Sequence, residues 1–140
     1  MTKIKPLIVT FESFDNFIER TSIALEKAIE TGVPSIQRKD TRIWSSVENY
    51  QKFMSDQKYA ILAAIYKHKP RSVYELANIL GRAQQNVARD CEGLADHKFI
   101  RFRESKRGRK VKAPMLSFDY NAVLVCLPSV TYKVEFDVAA

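Results

Sequence analysis

The sequence predicts an α+β fold, and three observations lead to that prediction. Three helical patterns follow one another between residues 56 and 97, with a capping box, a Pro and a Gly at their ends. Two strand patterns joined by a basic, Gly-containing turn follow directly, over residues 99–118. Further strand patterns lie at residues 4–11 and 131–138. A chain of 140 residues is expected to form one domain, or one domain with an added arm.

The first 55 residues are predicted to form an N-terminal arm of a strand, a helix and a short helix. The apolar run at residues 4–11 fits a short strand. Residues 13–31 place Phe and aliphatic side chains on one helical stripe before a terminating Gly. Ser45 and Glu48 have the spacing of a capping box, which predicts a short helix behind them.

The middle of the chain carries the sharpest helix signals. A helix is predicted over residues 56–68, before a Pro. A second helix opens with the capping box of Ser72 and Glu75 and is broken at Gly81. A third helix is predicted over residues 83–97, with its apolar side turned inward. Two helices joined by a tight turn around a Gly form a helix-turn-helix unit. The inward side chains of the third helix are Val87, Cys91 and Leu94.

The most basic stretch of the chain, KFIRFRESKRGRKVK at residues 98–112, comes directly after these helices. Eight of its fifteen residues are Lys or Arg, and one is acidic. Residues 81–113 carry ten basic and four acidic residues, so +6 of the formal net charge of +7 lies there. This concentration favours a local polyanion-binding face over general solubility charge. The alternation of apolar and basic residues predicts a hairpin with a basic tip, and three helices followed by a hairpin is the order of a winged helix.

The segment SVYELANILGRAQQNVARDCEGLADHKFIRFRESKRGRKVKAPMLSFD resembles winged helix-turn-helix transcription regulators of the MarR-like kind. It is most similar to a small prokaryotic group of predicted regulators, some of them antitoxin-like. The similar elements are ELANILGRAQQNVARD, Leu94 and the KFI step into the wing, although a Gly is common in the family where this chain has residues 95–98. The expected organisation is an N-terminal arm at 1–55, a winged helix-turn-helix at 56–120 and a C-terminal β arm at 121–140.

The resemblance implies double-stranded DNA as the ligand, with the third helix in the major groove. A Gln side chain can form two hydrogen bonds with adenine, and an Arg side chain can do the same with guanine. Ala88 is small enough to let the helix approach a thymine methyl group, whereas Arg82 is expected to contact a phosphate. The predicted DNA-binding residues are Arg82, Gln84, Gln85, Ala88, Arg89, Arg101, Arg103, Lys106, Arg107, Arg109, Lys110 and Lys112.

The two arms carry more apolar surface than a winged helix needs. They either pack back on their own domain or form the twofold interface of a homodimer, and we favour the dimer because regulators usually match a palindromic site with two recognition helices. The predicted interface residues are Phe14, Phe17, Ile18 and Leu25 on the helix and Tyr132, Val134 and Phe136 on the last strand.

The sequence offers little for an enzyme, a metal site or a membrane protein. It has no phosphate-cradling Gly loop, nucleophile elbow or pair of catalytic carboxylates, so neither catalysis nor a cofactor is predicted. His68 and His97 have no ligand spacing, and Cys91 and Cys126 lie in apolar contexts that favour packing. No apolar run approaches the roughly 18 residues of a membrane span, and no signal peptide is visible, which predicts a cytoplasmic protein.

The sequence therefore predicts a dimeric DNA-binding transcription regulator. Two alternatives stay open at this point. The first alternative is an antitoxin-type protein that binds a toxin-like partner through its arms and autoregulates. The second is an RNA-binding winged helix. Competition between duplex DNA and duplex RNA would separate the RNA-binding alternative from the DNA-binding regulator.

Overall fold

The computed structural model describes residues 3–12, 14–31, 39–104, 112–127 and 131–136. Together they form a mixed α+β fold, as the sequence predicts. In chain order the elements are β1 (Pro6–Phe11), α1 (Phe14–Thr31), β2 (Thr41–Trp44), α2 (Val47–Phe53), α3 (Asp56–His68), α4 (Val73–Leu80), α5 (Gln84–Asp96), β3 (Ile100–Glu104), β4 (Lys112–Leu116), β5 (Ala122–Cys126) and β6 (Thr131–Glu135).

The helices α3 and α4 begin and end at the signals that the sequence carries. The hydroxyl of Ser55 accepts the N–H of Lys58 at 3.3 Å at the start of α3. At the start of α4, the hydroxyl of Ser72 accepts the N–H of Glu75 at 3.0 Å. Gly81 ends α4 with a φ of 66°, in the left-handed region that Gly adopts without steric cost. Capping chemistry thus sets the start of both helices and the end of α4.

The start of α2 corrects the sequence prediction by one residue. Ser46, and not Ser45, has the extended backbone of an N-cap, and its hydroxyl accepts the N–H of Asn49 at 3.1 Å. The hydroxyl of Ser45 instead accepts the side-chain amide of Asn49 at 3.4 Å. Two adjacent Ser residues offer the same capping chemistry, so the spacing to Glu48 alone points to the wrong one.

The strands of the two predicted arms form one four-stranded sheet. Its order is β2-β1-β5-β6, with β1 parallel to both β2 and β5, and β6 antiparallel to β5. The register pairs Leu7 with Val123 and Val9 with Val125, more than a hundred positions away along the chain. The N-terminal and C-terminal segments are therefore structurally inseparable.

One face of this sheet packs on the helices and closes a single hydrophobic core. Leu7, Val9, Val123 and Val125 are 0% exposed and belong to the same buried cluster as side chains of α3, α4 and α5. Burying each such side chain stabilises the fold by roughly 1.5–3 kcal/mol relative to leaving it in water. The sheet is thus part of the core that supports α5.

Three polar or aromatic contacts fix the sheet to the end of α5. The guanidinium of Arg42 on β2 donates from Nε and Nη2 to the carbonyl of Lys98, at 3.1 and 2.8 Å. The hydroxyl of Tyr120 donates to the carbonyl of Phe99 at 2.6 Å. The ring of His97 stacks on Trp44, with ring centroids 4.4 Å apart. These contacts hold the segment that connects α5 to β3.

Candidate nucleic-acid interface

Helix α5 has a fully buried side and an exposed polar side. Val87, Cys91 and Leu94 are 0% exposed, as their spacing predicts. On the opposite side the chain presents exposed amide and charged side chains, with Ala88 half-buried beside them. The exposed side chains are Gln84, Gln85, Asn86, Arg89 and Glu92. An amphipathic helix of this kind leaves its polar side free to bind a ligand.

The connection between α4 and α5 is short and closed by backbone hydrogen bonds. The N–H of Gly81 donates to the carbonyl of Asn78 at 3.3 Å, and the N–H of Arg82 donates to the carbonyl of Ala77 at 3.1 Å. These bonds form a Schellman motif, which ends α4 and redirects the chain within three residues. The turn therefore fixes the angle at which α5 leaves the helix before it.

Arg82 forms an ion pair within its own chain. Its Nη2 donates to a carboxylate oxygen of Asp90 at 2.8 Å, and the two side chains are only 20% and 21% exposed. The pair links the turn to α5, and the phosphate contact of Arg82 stays a prediction. Asp90 follows Arg82 by eight residues, and a pair at that spacing across a turn has no signature in sequence patterning.

A polar depression of about 430 Å³ lies beside the start of α5. Gln57 of α3 and Asn86 and Arg89 of α5 contribute to its lining, together with the Arg82–Asp90 pair. Ala83, the N-cap residue, forms no side-chain capping bond. Neither Gln57 nor Asn86 is among the sequence-predicted site residues. Asn86 could have been found on a helical wheel, because it lies three residues before Arg89 and therefore on the same side of the helix.

The antiparallel strands β3 and β4 split the predicted basic residues between two faces. Arg101 and Arg103 are exposed on one face, and Phe102 lies on the other, partly buried against the core. Lys112 lies on the face of Phe102, with its Nζ 6.0 Å from that ring centroid. The remaining predicted contacts, Lys106, Arg107, Arg109 and Lys110, lie outside the described residues.

The residues predicted for a dimer interface differ widely in accessibility. Ile18 and Leu25 on α1 are 46% and 63% exposed, and Tyr132 on β6 is 38% exposed. Val134 is half-buried. Phe136 is only 2% exposed, and its ring centroid lies 5.6 Å from that of Tyr120, so within one chain it packs in the core and offers little surface to a partner. The side chains of Phe14 and Phe17 lie outside the described part of the structure.

The thiol of Cys91 is chemically unreactive because it is buried. Burial raises its pKa to about 12, and the neighbouring carboxylate of Asp90 adds to this rise. A thiol of that pKa carries almost no thiolate at neutral pH, and the thiolate is the reactive form.

In the described residues no three His, Cys, Asp or Glu side chains form a group that could hold a metal ion. In the same residues no helix is long and apolar enough to cross a membrane.

Comparison with known protein families gives a match over the middle of the chain. Residues 53–121, just under half of the chain, match the family HVO_A0114, whose name states no activity. No curated protein matches the chain. The matched segment runs from the end of α2 through α3, α4, α5, β3 and β4, so it contains every element of the candidate interface. It ends at residue 121, directly before β5, and includes no strand of the four-stranded sheet.

Proposed function

We propose that residues 56–120 form a winged helix-turn-helix and that the chain is a sequence-specific, double-stranded DNA-binding transcription regulator acting as a homodimer. The observation that carries the proposal is the polar side of α5, whose opposite side is completely buried. Helix α5 follows α4 after a three-residue turn and leads directly into the antiparallel pair β3–β4. In winged helices a helix in this place reads the major groove.

Base recognition in this proposal comes from Gln84, Gln85, Asn86 and Arg89. Gln and Asn side chains can bind adenine through two hydrogen bonds, and the Arg fork can bind the O6 and N7 atoms of guanine. These four side chains are exposed, and none of them has a described hydrogen bond to its own chain that binding would have to break. Ala88 lies among them with no side chain beyond Cβ, so the helix can approach the groove closely.

Phosphate contacts in this proposal come from the strands that follow. Arg101 and Arg103 point to the same exposed face of β3, because side chains two residues apart in a strand share a face. The sequence between β3 and β4, which lies outside the described residues, contains four further Lys and Arg residues. Such cations neutralise backbone phosphates and release counterions, which supplies affinity without sequence preference.

The proposal is tested with the substitution Arg89→Ala. On the preferred duplex it should cost about 1–3 kcal/mol of binding free energy, and much less on random DNA, because the lost contact is to a base. The matched control is Lys67→Ala, which removes one exposed cation from α3. The control should leave the difference in affinity between the two duplexes unchanged. Equal losses on both duplexes for Arg89→Ala would make it a backbone contact and would contradict base reading by this helix.

The same assay separates the two alternative functions. Duplex RNA has a deep and narrow major groove that a helix cannot enter, so it should compete weakly for the protein. Stronger binding to RNA than to DNA would replace the proposal with an RNA-binding function. A toxin-like partner would be indicated by a stable protein complex that the parent and the Arg89→Ala protein form equally well.

A further inference from the structure

The outer edge of β6 carries backbone hydrogen-bonding groups that the described structure leaves unpaired. The N–H of Phe136 donates to the carbonyl of Asn121, at 3.0 Å, which shows that the even-numbered residues direct their backbone groups to β5. Because backbone groups alternate along a strand, Lys133 and Glu135 direct theirs to the opposite edge. In the part of the chain that the structure describes, no strand pairs with that edge.

The side chains beside these backbone groups are self-complementary. The Nζ atom of Lys133 lies 2.8 Å from a carboxylate oxygen of Glu135, and both side chains are about two-fifths exposed, at 39% and 44%. Charges on an edge strand commonly prevent pairing with another chain. Here, however, two opposite charges at alternate positions match an identical strand that runs in the opposite direction.

We infer that the free edge of β6 binds the same edge of a second copy of this chain, antiparallel, with Val134 opposite the partner's Val134. This inference rests on the homodimer of the proposed function and names its interface. Lys133 then lies opposite the partner's Glu135, and Glu135 lies opposite the partner's Lys133. Each of these two pairs exchanges two backbone hydrogen bonds, so the contact has four in all.

The charges of Lys133 and Glu135 favour this strand register over the adjacent hydrogen-bonded register. Shifting the pairing so that Lys133 lies opposite the partner's Lys133 keeps a hydrogen-bonded pattern but places two like charges across the strands, which is unfavourable. In the inferred register, Lys133 lies beside Glu135 of its own strand and opposite the partner's Glu135. Glu135 likewise lies beside Lys133 of its own strand and opposite the partner's Lys133. Pairing also covers part of Tyr132, which is 38% exposed on this outermost strand.

The other edge of the sheet lacks this complementarity. The strand β2 has the sequence TRIW, in which Arg42 is the only charged residue. The guanidinium of Arg42 donates to carbonyls of its own chain, including that of Lys39 at 2.9 Å. A second copy would therefore find no opposite charge on β2, and β6 is the edge that fits.

The experiment uses the full chain without DNA, so its failure and the failure of DNA binding are separate results. The molar mass of the parent, Lys133→Glu and Glu135→Lys proteins is measured by light scattering at tens of micromolar. The parent should be a dimer. Each variant places two like-charged pairs across the strands, so each should be a monomer, with its dimer dissociation constant raised at least tenfold.

An equal mixture of the two variants shows whether the strands pair in this register. A heterodimer restores both opposite-charge pairs, so the mixture should regain the dimer mass, which also shows that the variants are folded. The double variant Lys133→Glu, Glu135→Lys should dimerise by itself. A monomeric parent would overturn the inference. Variants that each stay dimeric, or a mixture that stays monomeric, would equally overturn it.

Discussion

At the scale of single residues, α4 and α5 both end at a residue with a left-handed backbone, but the two residues differ in type. Gly81 has a φ of 66°, and Lys98 has a φ of 64°. At the second site the N–H of Phe99 donates to the carbonyl of Leu94 at 2.9 Å, which forms a Schellman motif. The left-handed region is costly for a residue with a Cβ atom. The end of α5 therefore stores strain that the end of α4 avoids.

We predict that Lys98→Gly stabilises the protein by about 1 kcal/mol, because Gly removes the cost of the left-handed conformation. Urea unfolding of the variant and the parent measures the difference. Gly81→Ala is the matched reverse substitution. A Cβ atom there would meet no atom within 4 Å apart from those of its chain neighbours, so its destabilising effect reports the local backbone cost. Equal stability of the parent and the Lys98→Gly protein would contradict the strain at Lys98.

His97 gives a prediction about pH. Partial burial against the rings of Trp44 and Phe53 lowers the pKa of its imidazole from 6.5; nearby Asp96 raises it, and Lys58 lowers it. The unfolded chain therefore takes up a proton at higher pH than the folded protein. The free energy of unfolding should decrease as pH falls below about 6.5. In His97→Gln the decrease between pH 7.5 and 5.5 should be smaller, and an identical slope would contradict this account.

At the scale of elements, local signals were sufficient where caps and periodicity act alone. The start of α4 follows from Ser72 and its end from Gly81, α3 ends before Pro70 as predicted, and the buried side of α5 follows from its spacing. The side-chain arrangement of the candidate site was harder to predict from the sequence. The Arg82–Asp90 pair depends on how the turn folds back. The division of Arg101 and Lys112 between two faces depends on the register of β3 and β4, which only the pairing fixes.

For the hairpin element we predict a role in affinity without sequence choice. Replacing both Arg107 and Arg109 by Ala should weaken binding to every duplex, because these cations are expected to contact phosphates. The slope of log affinity against log salt should fall by roughly 0.9 for each lost phosphate contact. The double substitution of Lys52 and Lys67 by Ala removes the same charge from α2 and α3 and serves as control. A slope equal to that of the parent would mean that the hairpin tip does not contact DNA.

At the scale of the whole molecule, the sequence could not show that the two arms are one sheet. The pairing of β1 with β5 joins residues more than a hundred positions apart, and no local pattern specifies which strands become neighbours. The short strand β2 between α1 and α2 completes the sheet and carries Arg42, which binds the carbonyl of Lys98. The burial of Phe136 follows from the same sheet, because the pairing of β6 with β5 brings its ring against that of Tyr120. The sheet thereby supports the end of the proposed recognition helix, although it lies outside residues 56–120.

The central claim, that this protein reads duplex DNA sequence as a dimer, is tested most directly by selecting bound fragments from a random duplex DNA library with the intact protein. We predict enrichment of an inverted repeat whose half-site centres lie about 10 base pairs apart, or a multiple of that distance, because two copies of α5 related by a twofold axis must enter successive major grooves on one side of the helix. Recovery of fragments with no enriched sequence, or of a single site without twofold symmetry, would contradict the claim.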